Sequence, residues 1–260
     1  MRFLCFILLM LTSFTVLAQD SFQLAPPIVR YASLFYNRSA KVQLEFNQPH
    51  TQIYYTIDGT EPSIQSTKAR KYIYLKGDRV QLKALSAGKG FIPSKVVTVE
   101  FAKTGYTIKA IETSPTNSKY PGTGSSLFDA KSGTGSHQDS AWKGFDSDSI
   151  SFTIEFVQPR QVHTVSLHVL ENQAAWIFLP KAVSIYSIDK NGVETWETSI
   201  DINATEQHNG ATGQFVDIKL PRNLYGSKIK VVAAAVTKIP EWHDGKGLHA
   251  WFFIDEINVY

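Results

Sequence analysis

The stretch Val42-Gln43-Leu44-Glu45-Phe46-Asn47-Gln48-Pro49-His50-Thr51-Gln52-Ile53-Tyr54-Tyr55-Thr56-Ile57-Asp58-Gly59 decides the fold class. Apolar residues occupy every second position: Val42, Leu44 and Phe46, then Ile53, Tyr55 and Ile57. Successive side chains of a strand point to opposite faces, so each trio predicts one buried face of a half-buried strand. Asn47-Gln48-Pro49 and Asp58-Gly59 supply turn chemistry between and after them. Working outwards, Val80 and Leu82, then Val97, Val99 and Phe101, keep the same period, parted by Lys76-Gly77-Asp78 and Gly88-Lys89-Gly90. No amphipathic helical period of useful length intervenes, and short strands at this spacing predict a small β-sandwich.

Lys103-Thr104-Gly105 reads as a hinge. Beyond it, Ser114 to Asp148 is rich in Ser, Gly, Thr, Pro and Asp. A loop this long in a compact domain is usually functional or pinned by something. Period-two strands then resume at Phe152, Ile154 and Phe156; Val165, Leu167 and Val169; Val183 and Ile185; Val216, Ile218 and Leu220; Ile229 and Val231; and Trp251 and Phe253. The expected fold is therefore all-β, with two tandem β-sandwiches over residues 20–103 and 106–260.

The 260 residues are 43% hydrophobic and 19% charged, enough apolar material for one large or two ordinary domains. The formal net charge is +3, read as an excess spread along the chain, which makes nucleic acid a poor partner. Arg2, an apolar run from Phe3 to Leu11 and Val16-Leu17-Ala18 have the layout of a secretory signal peptide over residues 1–19. Cys5 lies inside that leader and precedes most of the apolar run, which argues against lipid attachment. It is the only cysteine, so disulfides and cysteine metal sites are not expected, a pattern that suits an exported bacterial protein. No later segment approaches the roughly 20 apolar residues of a membrane-spanning helix.

Ile53-Tyr54-Tyr55-Thr56-Ile57-Asp58-Gly59-Thr60-Glu61-Pro62, with Lys83-Ala84 and Pro93-Ser94-Lys95-Val96, resembles the immunoglobulin-like domain at the C-terminus of chitobiases and β-hexosaminidases. The resemblance covers about residues 26–101. It implies an accessory sandwich in which Asp58 and Glu61 serve a turn, not catalysis. A second resemblance rests on Leu127-Phe128-Asp129-Ala130-Lys131, Ser140-Ala141-Trp142-Lys143-Gly144-Phe145, Pro180 to Tyr186, and Trp242-His243 with Ala250 to Ile257. These are similar to discoidin, or coagulation-factor C-type, domains, the jelly-roll fold of family 32 carbohydrate-binding modules. The same order of modules occurs behind catalytic domains of exported bacterial exo-glycosidases. Asp129-Ala130 departs from the family's common Asp-Gly.

The discoidin resemblance implies one structural Ca2+, held by Asp129, the hydroxyl of Ser140 and Glu256. Calcium takes six to eight oxygens, so carbonyls would complete the shell. Sugar binding needs an aromatic face and planar polar groups. Trp176, following Glu171-Asn172-Gln173, and Trp242-His243, following Ile239-Pro240, offer these in loops, so Trp176, Trp242, His243 and Asn172 are the candidate ligand residues. Trp142 and Trp251 read as core.

Catalytic readings find no support. Asp255-Glu256 is an adjacent acid pair like that of hexosaminidases, but strand neighbours are expected on opposite faces and no barrel is present. No Gly-x-Ser-x-Gly elbow or His-x-x-x-His pair occurs, and Gly122-x-Gly124 lacks the context of a nucleotide site. The expectation is an exported, non-catalytic protein whose partner is a glycan or glycoconjugate. Two alternatives stand beside it: a protein- or surface-interaction module, and the detached accessory part of an exo-glycosidase, with a glycosidase as partner.

Overall fold

The computed structural model describes residues 22–260; the leader read over residues 1–19, with Cys5, lies outside them. The first eight strands are β1 (Ile28–Arg30), β2 (Phe35–Tyr36), β3 (Ala40–Glu45), β4 (Thr51–Thr56), β5 (Thr67–Lys68), β6 (Ile73–Leu75), β7 (Arg79–Gly88) and β8 (Val97–Lys103). They form a three-stranded sheet, β1-β3-β6, and a five-stranded sheet, β2-β8-β7-β4-β5. Val42, Leu75, Leu82 and Phe101 are fully buried between them, as the alternation demands. Ile57 differs from expectation: it is 46% exposed because β4 ends at Thr56. There the Asp58 carboxylate accepts from the Thr60 amide (3.1 Å) and hydroxyl (2.6 Å), and Gly59 takes φ +82°. The turn claims the residue that would have been the third inward position.

The remaining strands are β9 (Ile108–Thr113), β10 (Lys143–Phe145), β11 (Ser149–Glu171), β12 (Ala182–Ile188), β13 (Glu194–Asp201), β14 (Thr212–Ala234) and β15 (Phe252–Val259). All seven belong to one hydrogen-bonded sheet that folds over itself. The 23-residue strands β11 and β14 pair along both halves, with register shifts at Glu155/Arg160 and Val162/Thr164. Their first pairing, Ser149–Glu155 with Lys228–Ala234, carries β9 on one side and β12 and β13 on the other. Their second, Thr164–Glu171 with Thr212–Lys219, carries β15 and β10. Strands that change sheets at bulges make the corners of a sandwich. Phe152, Ile154, Val165, Leu167, Ile218 and Ile254 fill the space between the layers. The chain is all-β, two tandem sandwiches, with no α-helix among the described residues.

The expected hinge is not free. The amides of Lys103, Thr104, Gly105 and Tyr106 donate to Asp78 O, Tyr36 O, Asn258 Oδ1 and Val259 O. The long 114–148 segment is likewise pinned, packing against the β11–β15 layer through Trp142, which is 1% exposed and stacked 5.6 Å from His168. Trp251, expected in the core, is only partly buried, edge-on to Tyr120 at 5.4 Å in a small satellite cluster.

Candidate functional site

Two neighbourhoods collect the candidate residues. The first lies where β11 ends. Asn172 and Ile177 exchange both backbone hydrogen bonds at 3.0 Å, closing a loop around one 3-10 turn, Gln173–Ala175. Trp176 caps that turn in the left-handed region, φ 62°. Such a backbone costs a non-glycine residue roughly 1–2 kcal/mol. The Trp176 amide bond to Gln173 O (2.8 Å) and the Trp251 amide bond to Trp176 O (2.8 Å) offset this. The result turns the indole outwards, 38% exposed.

The neighbouring loop, residues 240–248, packs against it. Gly245 lies under the Trp176 indole so closely that a Cβ there would stand 2.9 Å from the ring. His243 Nδ1 accepts from the Gly245 amide (2.9 Å), which leaves the proton on Nε2 to donate to Gln173 O (2.7 Å). The imidazole thus staples the two loops, and both its nitrogens are committed to protein. Trp242 is 41% exposed; its Nε1 donates to Thr205 O (3.2 Å) and its ring rests 6.3 Å from Phe178. Among the described residues, the half-buried side chain of Asn172 has no hydrogen-bond partner. Two part-exposed indoles on loops joined through His243, with the Asn172 amide on one of those loops, are groups that can take the apolar face and hydroxyls of a sugar ring.

The second neighbourhood lies on β15. His168 is paired with Glu256, but the next rung joins Val169 to Ile254, leaving Asp255 as an extra residue. This bulge corrects the expectation that Asp255 and Glu256 face opposite ways. Both are buried and both reach the 129–134 loop. Gly133 N donates to Asp255 Oδ2 (2.6 Å) and Ala130 N donates to Glu256 Oε2 (3.1 Å). Asp255 Oδ1 also meets His168 Nδ1 at 2.6 Å. Burial, then the charges of Asp255 and Asp129, push the Glu256 carboxyl up to about 9. Burial also raises Asp255, against the pull of His168.

The calcium expectation can be set against this donor set. Asp129 and Glu256 are brought together, while Ser140 stands exposed on the Asp139–Trp142 turn with no hydrogen bond to either. The nearest countercharge to Asp129, Lys131 at 3.4 Å, is itself 75% exposed. A crowded, desolvated set of carboxylates suits a hard divalent cation. Among the described residues no three His, Cys, Asp or Glu side chains are grouped for a metal, so backbone carbonyls would have to supply most of the shell.

The family described as Fn3 associated matches residues 42–101. No curated protein matches the chain. Similar solved structures include the third family 32 module of a family 31 glycoside hydrolase from Clostridium perfringens. It is 14% identical, with 59% of this chain and 90% of that one covered and a TM-score of 0.41. The family 32 module of Streptococcus pneumoniae EndoD is 15% identical over 60% of this chain and 96% of that one, TM-score 0.39. That of C. perfringens NanJ, solved with galactose, is 16% identical over 58% and 91%, TM-score 0.38.

Sequence reasoning missed the groups that build the loop site. Gln173 is buried and donates to Glu171 Oε1 (2.9 Å) and Glu206 O (2.6 Å), while its Oε1 accepts from the His208 amide (2.8 Å). Glu171, also buried, accepts from Gln214. Nothing in local spacing brings residues 206–214 to this loop. Gly245 was legible only as one of several loop glycines.

Proposed function

We propose that the chain is an exported, non-catalytic accessory protein whose second unit binds a glycan or glycoconjugate. The observation that carries this reading is that Trp176 and Trp242, on two loops stapled together by His243, both hold their indoles half-exposed. Solvent-facing tryptophan held by a strained backbone contributes little to packing and suits stacking on a pyranose. Asn172 provides hydroxyl recognition, and His243 acts by positioning. The first unit serves as a spacer of the kind seen in chitobiase-type immunoglobulin-like domains. Export rests on the leader. Among the described residues, no helix is long and apolar enough to cross a membrane.

The test is a glycan array on the leaderless protein, followed by affinity and melting measurements on Trp176→Ala, Trp242→Ala and Trp142→Ala. The first two should bind roughly tenfold or more weakly and melt near wild type, as loop contacts do. Trp142→Ala should lose roughly 3–5 kcal/mol as a core truncation. An array without a bound glycan, or loop variants that melt as low as Trp142→Ala, would overturn the reading.

Asp129 and Glu256 are the residues that would hold a structural Ca2+. The ion would supply the charge that lets the buried Glu256 carboxyl ionise beside Asp129, fastening the 129–134 loop to β15. An ion bound only by the folded state raises its apparent stability. A chelator should therefore lower the melting temperature, and Asp129→Ala should abolish that sensitivity. Identical melting curves with and without chelator, on protein shown to be metal-free afterwards, would remove calcium from the account.

A further inference from the structure

The run Ser66-Thr67-Lys68-Ala69-Arg70-Lys71-Tyr72-Ile73-Tyr74-Leu75-Lys76 holds four cations and no acid, a concentration that the reading of evenly spread charge overlooked. Lys68 goes to β5 in the five-stranded sheet, while the end of the run forms and flanks β6 in the three-stranded one. Along β3 and β6 the inward residues are Ala40, Val42, Ile73 and Leu75, and the outward pair is Lys41 opposite Tyr74. Tyr72 is two residues before Tyr74 and so shares its side of the sheet. The Lys41 ammonium sits 3.9 Å from the Tyr72 ring centroid and that of Lys71 5.6 Å away. Tyr74 is 60% exposed and Tyr72 38%.

In the same unit Arg30, Arg79, Lys83 and Lys103 each meet a carboxylate. Among the described residues, Lys41 and the cations of this run form no ion pair, as is also true of Arg38, Lys89 and Lys95 in the same unit; what sets the face apart is that Lys41 and Lys71 lie on an exposed tyrosine ring. A surface that sets the unpaired Lys41 and Lys71 against the Tyr72 ring, beside the exposed Tyr74, is complementary to a polymer carrying both negative charge and flat apolar faces.

We propose that the outer face of the β1-β3-β6 sheet, centred on Lys41, Tyr72 and Tyr74, is a second binding site that takes an anionic polysaccharide. The cations meet its carboxylates or sulfates and the tyrosines stack on its sugar rings. The choice of a polysaccharide over single-stranded nucleic acid rests on the glycan-binding reading of the second unit. The position of the site does not.

The experiment is affinity electrophoresis of the leaderless full chain through gels containing polygalacturonate, with neutral dextran as control. Polygalacturonate should retard the protein, dextran should not, and added salt should release it. Lys41→Gln and Lys71→Gln should each weaken retardation roughly fivefold, the size of an exposed charge contact. Tyr74→Ala should weaken it at unchanged net charge, while Tyr74→Phe, which keeps the ring, should bind as wild type and report on folding. Trp242→Ala should be retarded as wild type, which separates failure of this site from failure of the loop site. Wild-type binding by Tyr74→Ala would reduce the face to a bare charge patch and overturn the proposal. So would capture by single-stranded DNA, or by vesicles of anionic phospholipid, as tight as capture by polygalacturonate.

Discussion

Ala130 stands at φ 57°, where an L side chain is disfavoured, and still performs two tasks. Its amide donates to Glu256 Oε2 at 3.1 Å, and its carbonyl accepts from Ser33 Oγ at 2.7 Å. The departure from Asp-Gly noticed in the sequence is therefore a conformational one, an alanine in a glycine's place. A left-handed alanine costs roughly 1–2 kcal/mol, whereas glycine carries about 0.5–1 kcal/mol of extra chain entropy. Ala130→Gly should accordingly raise stability by up to about 1 kcal/mol, measured by urea unfolding. A loss of 1 kcal/mol or more would mean that the methyl group packs usefully and that the backbone argument fails. His243 shows a different case, a candidate whose polar atoms the fold already uses. The sequence marks it as a ligand residue, but both of its nitrogens hold protein loops together.

At the scale of elements, alternation was readable because burial on one face writes a period of two into the chain, and Val42, Leu82, Phe152, Ile154 and Leu167 all lie inward as expected. What escaped reading was the break of the period inside a strand. The bulge at Asp255 adds one residue to β15 and turns two neighbouring acids to the same loop, and no propensity of Asp or Glu announces it. The candidate loop site offers its tryptophans to a reading of the sequence but not its support, because Gln173, Glu171 and Gly245 act through contacts distant in sequence. Gly245 makes that support testable. A methyl group there would stand 2.9 Å from the Trp176 ring and 3.1 Å from its Nε1, so the indole must move. Gly245→Ala should weaken glycan binding roughly tenfold, as misplacing an anchor does, while changing the melting temperature little. Binding equal to wild type would show that the Trp176 orientation is unimportant for the ligand.

At the scale of the whole molecule, one cation stands at the centre of the junction between the two sandwiches, beside hydrogen bonds such as Ser33 Oγ to Ala130 O and Leu34 N to Ser132 Oγ. The Arg79 guanidinium, from β7, donates to Ser166 Oγ (3.0 Å) and Asp217 Oδ1 (2.5 Å) across the junction and covers the Phe215 ring at 3.9 Å. On its own unit it stands 3.5 Å from Glu100. Phe35 adds edge contacts to His168 and Phe215 at 5.4 and 5.8 Å. Burial lifts the Glu100 carboxyl above its ordinary range, the Arg79 charge pulls it back, and Asp217 pushes it up again. Arg79→Ala should therefore cost roughly 2–3 kcal/mol, the value of hydrogen bonds to a charged group whose partners stay partly desolvated. It should also uncouple the units, so that a single melting transition divides into two. The penalty should depend on pH with a defined sign. Without Arg79 the folded state holds the Glu100 proton to higher pH than the unfolded state does. Stability then falls as pH rises through the interval above the ordinary glutamate value of 4.5. The loss should be largest near neutral pH and shrink towards pH ~4, where both states are protonated. Lys83→Ala, which breaks the pair with the largely exposed Glu61 inside the first unit, is the control and should cost under about 1 kcal/mol. If Arg79→Ala matches that control, or its penalty is the same at both pH values, the junction is held by the Phe35 contacts and the pinned 103–106 segment, and the cation is incidental.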